Sequence, residues 1–254
     1  MLLMSLLILI GCKPAEAPEE YEELVGFIFE HMADDDPKSL SLGLDNLDNW
    51  LVGEQLLSVE EGLVVSTLPL SAVETLDGHD HSIDELAGVS VLTKSQFEPA
   101  IITDALTQYS FKTIIPETYI VYDRNFEEGK NCIVDRDCLW AEATAYTVAD
   151  WGVLGEVTAE RRIQFRWVET DAGWVMLQRW WLTEPSTGTR LDLRIQDQYY
   201  IGVTKSNGDG SDRVHASWIN MEMSTGDASE GAANQLITSW KNDAESLDLW
   251  IEEQ

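Results

Sequence analysis

Asp77-Gly78-His79-Asp80-His81 gathers two of the chain's four histidines into one polar stretch, with Asp84 just beyond it. Imidazole and carboxylate are the donors that zinc and similar divalent ions take, and such an ion needs at least three of them converging. His79 and His81 are two residues apart, so an extended loop puts both side chains on one side. Asp77 is the nearest third ligand. On this reading the chain is a metal-dependent hydrolase. The same residues also describe an acidic turn exposed ahead of a helix.

A second set is aromatic. Trp140, Trp151, Trp167, Trp174, Trp180 and Trp181 fall in the middle of the chain. Indole rings offer flat apolar faces with a single donor, which suits a lipid or sugar pocket as well as a sheet core. Trp180 and Trp181 are adjacent, so in a strand one of them leaves the main core face. Arg161 interrupts the apolar side of an alternating segment, marking a buried ion pair or a polar point in a cavity. A pocket would be built around Arg161, Trp167 and Trp180. Nucleophilic and phosphate chemistry have no signal here: no G-x-S-x-G elbow, His-paired Cys or Gly-rich phosphate loop is present. The acidic stretches 123–129 and 207–212 both miss the EF-hand pattern and read as turns. No cofactor is implied, and the chain reads as a binding domain rather than an enzyme.

The three cysteines divide unevenly. Cys132 and Cys138 close a short loop, and a disulfide is the pairing expected in an oxidising compartment. Two thiols without a neighbouring His make only half a zinc site. Cys12 stands apart, ending Leu9-Ile10-Gly11-Cys12 behind an apolar run from Met1 to Ile10. That run falls short of the roughly 20 residues that cross a bilayer and matches a signal h-region of about 7–15. The stretch resembles a bacterial lipobox. The resemblance implies a signal segment over 1–11, a diacylglycerol on the Cys12 sulfur with further acylation of the new N-terminus, and a Pro/Ala/Glu-rich tether over 12–20. It also implies a place in the bacterial cell envelope, held to the membrane by lipid. Lys13 rather than Asp after the cysteine favours the outer membrane. No Lys or Arg precedes the run, which predicts that translation starts upstream of Met1.

Charge narrows the partners. With 46 acidic and 16 basic residues the formal net charge is −30, a field that repels nucleic acid and anionic lipid headgroups. An apolar small molecule or an envelope protein remains a suitable partner.

The elements that must position these groups are legible from periodicity. Tyr21, Leu24, Val25, Ile28 and Met32 follow helical spacing until 34–37 stops it, and Leu40, Leu44, Leu47 and Leu51 continue a second helix. The segment 55–70, with the β-rich piece Leu63-Val64-Val65 between Gly62 and Pro69, is read as strand. Ser82 and Glu85 form a capping box that predicts a helix through Ala87, and 97–109 predicts another. From Thr118 the period becomes two. Strands are expected at Tyr119–Val121, 139–148, 156–168, 174–183, one long strand over 191–203, and a last one through Val214, Ala216 and Trp218, with turns at 171–173, 185–188 and 207–210. Ala233, Leu236, Ile237, Trp240, Ala244, Leu247 and Ile251 make one apolar stripe on a closing helix of about five turns.

These elements predict a single α+β domain over 21–254: N-terminal helices, an antiparallel meander of about six strands, and a long C-terminal helix packed on the sheet. That order resembles the helix-grip pattern, of which the START-like lipid-transfer proteins are the familiar example. The resemblance implies a sheet curling around the helix with a cavity between them, and a non-enzymatic domain that binds an apolar ligand.

Overall fold

In the computed structural model residues 16–127 and 129–254 are described; Leu9–Cys12, and with them the expected acylation site, lie outside the described residues. The first apolar stripes form α1 (Tyr21–His31) and α2 (Lys38–Trp50), followed by α3 (Gly53–Glu61). Pro37 closes the 34–37 break and opens α2 at its N-cap. Two extended pieces follow, β1 (Leu63–Val65) and β2 (Ala87–Ser95), then α4 (Pro99–Leu106). The region of period two supplies β3 (Tyr119–Phe126), the short α5 (Lys130–Val134), β4 (Trp140–Asp150), β5 (Glu156–Thr170), β6 (Gly173–Leu182), β7 (Ser186–Gly188), β8 (Arg194–Ser206), β9 (Ser211–Met223) and β10 (Gly226–Asp227), before α6 (Ser229–Glu252).

All pairings are antiparallel, in the order β1-β2-β9-β8-β6-β5-β4-β3, with β7 bridging β5 and β8 and β10 paired to β9. The strands β3 to β6, β8 and β9 make the expected six-stranded meander, and α6 is the expected long closing helix. The α+β reading is therefore the observed one. Strand β2 was not anticipated: it pairs with β9, the last long strand of the meander, and brings the N-terminal third of the chain onto the same sheet.

Both faces of the sheet are covered. On the outer face Leu177, Trp181, Tyr199, Ile201 and Trp218 pack against α1 and α2 through Leu24, Ile28, Phe29, Leu40 and Leu47. On the inner face Val91, Ile163, Phe165, Ile195, Ile219 and Met221 belong to two clusters that α6 joins through Ala233, Trp240 and Leu247. Strand β9 is buried from Ser211 to Met221 as a result. The end of α1 and the turn after it are tied to the sheet by arginines that reach backbone carbonyls: Arg179 donates to Phe29 O at 2.8 Å, and Arg166 donates to Met32 O and Asp34 O at 2.5 and 2.8 Å. Burial pushes the Arg179 guanidinium down to about 10. Part of the expected tether is engaged as well, because Pro18 O and Glu19 O accept from Asn46 Nδ2 (2.9 Å) and Trp50 Nε1 (2.8 Å).

Four local expectations change. Residues 53–61 form α3 and leave only 63–65 as strand. The expected helix from Ser82 through Ala87 does not form. Ser82 Oγ accepts from Asp84 N within a turn, Glu85 takes a left-handed φ of 57°, and the carbonyls of Ser82 and Asp84 accept from Tyr199 and Asn220 of the sheet. A helix would have needed those carbonyls itself. The turn at 185–188 contains β7. The long strand over 191–203 begins only at Arg194, after Leu191 and Asp192 with positive φ, and is broken by a bulge between Ile195 and Asp197.

Cys132 and Cys138 are joined by a disulfide, as expected, with their Cα atoms 5.2 Å apart across α5. Because the loop it closes is short, reduction is expected to lower unfolding stability by about 2 kcal/mol. Denaturant titrations with and without reductant would measure it, and a loss near zero would show that α5 holds the loop without the bridge.

Candidate functional site

Helix α6 crosses the inner face of the sheet and leaves a cavity of about 340 Å³ between them, inside the range of about 300–1,000 Å³ typical of small-molecule sites. Leu106, Ile115, Ile163, Trp180, Leu236 and Trp240 give it apolar walls. Asp150 at the end of β4 and Gln235 on α6 line it while remaining exposed, and so mark its mouth.

The polar groups in those walls are few and unequally satisfied. Arg213, on β9, is 6% exposed. Its side chain makes no hydrogen bond or ion pair among the described residues, and its Nε is buried without a partner. Asp243 and Asp248 of α6 exert an electrostatic pull on it from beyond ion-pair distance, and burial holds its pKa below the usual guanidinium value. Arg161, on β5, lies over the Trp180 ring at 4.7 Å and donates from Nη1 to Thr147 Oγ1 at 3.2 Å, while its Nε is also buried and unpaired. Arg124 is better satisfied, since Leu106 O, Gln108 O and Tyr122 Oη accept from its terminal nitrogens, although its Nε too is buried and unpaired. His215 is neutral: burial first, and then the Arg213 charge, depress its pKa well below the ordinary value. Its ring nitrogens meet Tyr200 Oη at 2.8 Å and Thr93 Oγ1 at 3.0 Å, which fixes Tyr200 in a stack on Trp180 with ring centroids 5.2 Å apart. Gly202 makes room for that arrangement, because a Cβ there would lie 2.6 Å from Tyr200 Oη. Burial raises Asp243 to about 6 although Arg213 pulls the other way. In a chain of net charge −30, this cavity holds three guanidinium groups that lack an ion-pair partner among the described residues, of which Arg213 also lacks any side-chain hydrogen bond, and one carboxylate that burial drives towards neutrality.

A second cluster lies on the outer face. The bulge in β8 leaves Ile195 on the inner side and turns Asp197 to the outer side, the kind of re-aiming that bulges perform. There Asp197 Oδ1 meets His79 Nε2 at 3.0 Å and His81 Nδ1 at 3.2 Å, and accepts from Tyr199 Oη at 2.8 Å. The far nitrogens of both rings face carbonyl oxygens, His79 Nδ1 at 3.3 Å from Thr183 O and His81 Nε2 at 3.1 Å from Asp77 O. A carbonyl only accepts, so those nitrogens carry the protons, and a neutral ring then turns its lone pair towards the carboxylate. Two charged rings would cure that conflict at a cost. Their centroids are 4.4 Å apart, a repulsion of about 4 kcal/mol at an effective dielectric near 20. For His81, burial works against protonation, but its bonds to Asp197 and to Asp77 O hold its pKa above the usual value. Burial likewise opposes ionisation of Asp197, and hydrogen bonds from His81 and Tyr199 with the two imidazoles outweigh it, so its pKa falls.

No family model and no characterised relative matches the sequence. Solved structures resemble it at low identity. A STAR-related lipid transfer protein from Xanthomonas axonopodis is 12% identical, with 66% of this chain and 85% of that one covered at a TM-score of 0.41. The human StarD13 lipid transfer and protein localization domain is 8% identical, with 79% and 98% covered at a TM-score of 0.38. At these scores the likeness carries no weight for function; the architecture rests on the meander that curls about α6. The fold is a helix grip.

The grip brings together Arg161 and Trp180 of the expected pocket set, on the cavity wall. Trp167 is not among the lining residues. Its Nε1 donates to Ile133 O at 2.8 Å and Arg136 covers its ring at 5.3 Å, so it packs under the disulfide loop. Trp181 takes the opposite face to Trp180 and donates to Asp77 O. His79 and His81 do converge, but the carboxylate they meet is Asp197. The Asp77 carboxylate lies beside Arg162, 3.9 Å from its Nε, and only its backbone oxygen touches the cluster. Arg213, His215, Asp243 and Asp197 were not anticipated. The one local sign was the polar alternate set Arg213, His215 and Ser217 interleaved with the apolar set Val214, Ala216 and Trp218.

Proposed function

We propose that the chain is a lipid-anchored, non-enzymatic carrier domain of the bacterial cell envelope, acylated at Cys12, whose cavity binds an amphipathic molecule with an apolar chain and an anionic head. The observation that carries the ligand reading is Arg213. A buried guanidinium with no internal anion is costly unless an external one completes it. Arg161 stands over Trp180 as a second donor at the same wall, and the carbon-rich remainder suits a hydrocarbon chain. A long-chain carboxylate such as oleate is the simplest molecule of this class. Calorimetric titration with oleate and with oleyl alcohol, which has the same chain without the charge, tests the reading. Oleate is expected to bind at least about tenfold more tightly, the worth of one charge-assisted hydrogen bond. Equal affinities, or no binding of either, would overturn it. Mass spectrometry of the intact protein from a bacterial envelope tests the acyl group on Cys12.

Asp243 gives the cavity a pH dependence. Its folded pKa, about 6, is above the ordinary 3.8, so the folded state holds this proton more tightly than the unfolded chain. Its contribution to stability is therefore fully present below about pH 3.8 and lost as pH rises through about 6. Asp243→Asn is expected to remove that step and to raise stability at pH 8 by about 3 kcal/mol. Urea unfolding of both proteins at pH 5 and pH 8 checks it. Oleate should bind wild type more tightly at pH 5.5 than at pH 7.5, because the carboxylate beside Arg213 is then neutral.

A further inference from the structure

We propose that His79, His81 and Asp197 hold a divalent metal ion of the zinc class, which pins the 77–86 loop to the outer face of the sheet. Their donor atoms lie within 4.8 Å of one another. Two of the separations are 3.0 and 3.2 Å, close to the spacing of about 3.3 Å between ligands around a tetrahedral ion with bonds of about 2.0 Å. The groups behind them are those a bound metal requires. Each imidazole has its remote nitrogen on a backbone carbonyl, which aims the other nitrogen's lone pair inward, and Tyr199 orients the carboxylate. Two nitrogens and one oxygen are a donor set for zinc, or for cobalt in its place, with a water as fourth ligand. A single divalent cation resolves the conflict between inward lone pairs and an inward carboxylate that neutral rings would leave.

The loop is built for this approach. Gly78 has a φ of 120°, and a Cβ there would lie 2.6 Å from Thr183 O. The backbone therefore runs close enough for His79 N to donate to Thr183 O at 3.0 Å. His81 and Asp197 have side chains only 2% and 4% exposed, so the ion would sit beneath the loop and away from solvent. The site lies across the sheet from the cavity, because Asp197 and Tyr199 face outward while Gln198 and Tyr200 line the cavity. It is a pin for the loop and is independent of what the cavity binds.

The test is direct. The full chain is stripped with a chelator at pH 7.5, then titrated with Zn²⁺ by calorimetry and with Co²⁺ by visible absorption. One equivalent is expected to bind with a Kd of about 1 µM or tighter, bringing the absorption of four-coordinate cobalt and a rise in Tm. Asp197→Asn and His79→Ala should each weaken binding by at least about 30-fold, and the exposed neighbour Asp80→Asn should leave it within about threefold. X-ray absorption of the zinc-loaded wild type should show two imidazoles, a readout that does not depend on whether a variant folds. Absence of a stoichiometric site in wild type, a spectrum without imidazole ligands, or undiminished affinity in folded Asp197→Asn would overturn the proposal.

Discussion

Arg213→Leu is expected to cut oleate affinity by at least about 100-fold while leaving oleyl alcohol within a few-fold, and to leave the ligand-free chain as stable as wild type or more so. The two parts have one cause. Arg213 is almost fully buried, and no anion of the described chain pairs with it, so its desolvation is uncompensated until a ligand arrives. Truncating one member of a buried charge pair costs about 2–5 kcal/mol of binding. Replacing even a buried ion pair by hydrophobes of similar volume is often neutral or stabilising by about 1–4 kcal/mol, and an unpaired buried charge has no partner's attraction to lose. An arginine placed to hold the fold would behave the other way, losing stability on substitution. The variant carries an internal check as well. Arg213 is what holds the Asp243 pKa down against burial, so without it the pH step in stability moves above 6. Calorimetry for the two ligands and urea titrations across pH measure all three effects. A variant that binds oleate normally, or one that is destabilised without ligand, removes Arg213 from the head-group role.

Trp218→Ala is expected to cost about 3–5 kcal/mol, a large share of the about 5–15 kcal/mol that holds a typical domain. Its side chain is fully buried on the outer face, in edge contact with Phe29 of α1 at a centroid distance of 5.8 Å. Its Nε1 donates to Ser66 O at 2.8 Å, so truncation leaves both a cavity and a carbonyl without its donor. The residue stands on β9, whose other face carries Arg213 and His215 in the cavity wall. Loss of the outer core therefore threatens the inner site only by unfolding it. Where the variant remains folded, its oleate affinity should match wild type. Denaturant unfolding followed by tryptophan fluorescence gives the cost. A change under about 1 kcal/mol would mean that α1 and α2 are loosely applied to the sheet rather than part of its core.

The parts of the architecture readable from the chain were those set by local spacing. The closing stripe from Ala233 to Ile251 predicts α6 because helical periodicity needs only residues three and four apart. The alternation over 156–168 predicts β5 for the same kind of reason, and Arg161 and Trp180 could be named as pocket residues because each broke a local pattern. Strand β2 escaped detection since it is buried on both sides, and a strand packed between two layers has no polar face to betray its period. Arg213 and His215 escaped with it, as both faces of β9 are interior. The Ser82–Glu85 capping box was genuine as a local pattern and lost to the sheet, whose Tyr199 and Asn220 take the carbonyls a helix needs.

What the sequence determined alone is therefore the class of element at each strongly periodic stretch, their order, the net charge of −30, and the pairing of Cys132 with Cys138. Tertiary structure decided which residues meet. His79 and His81 lie 116 or more positions before Asp197 in the chain, and they share a site only because one bulged residue in β8 turns that carboxylate outward. Arg213 is an ordinary cation in the sequence and becomes a demanding one only under α6, where it is shut away from water and no acid among the described residues comes within ion-pair distance.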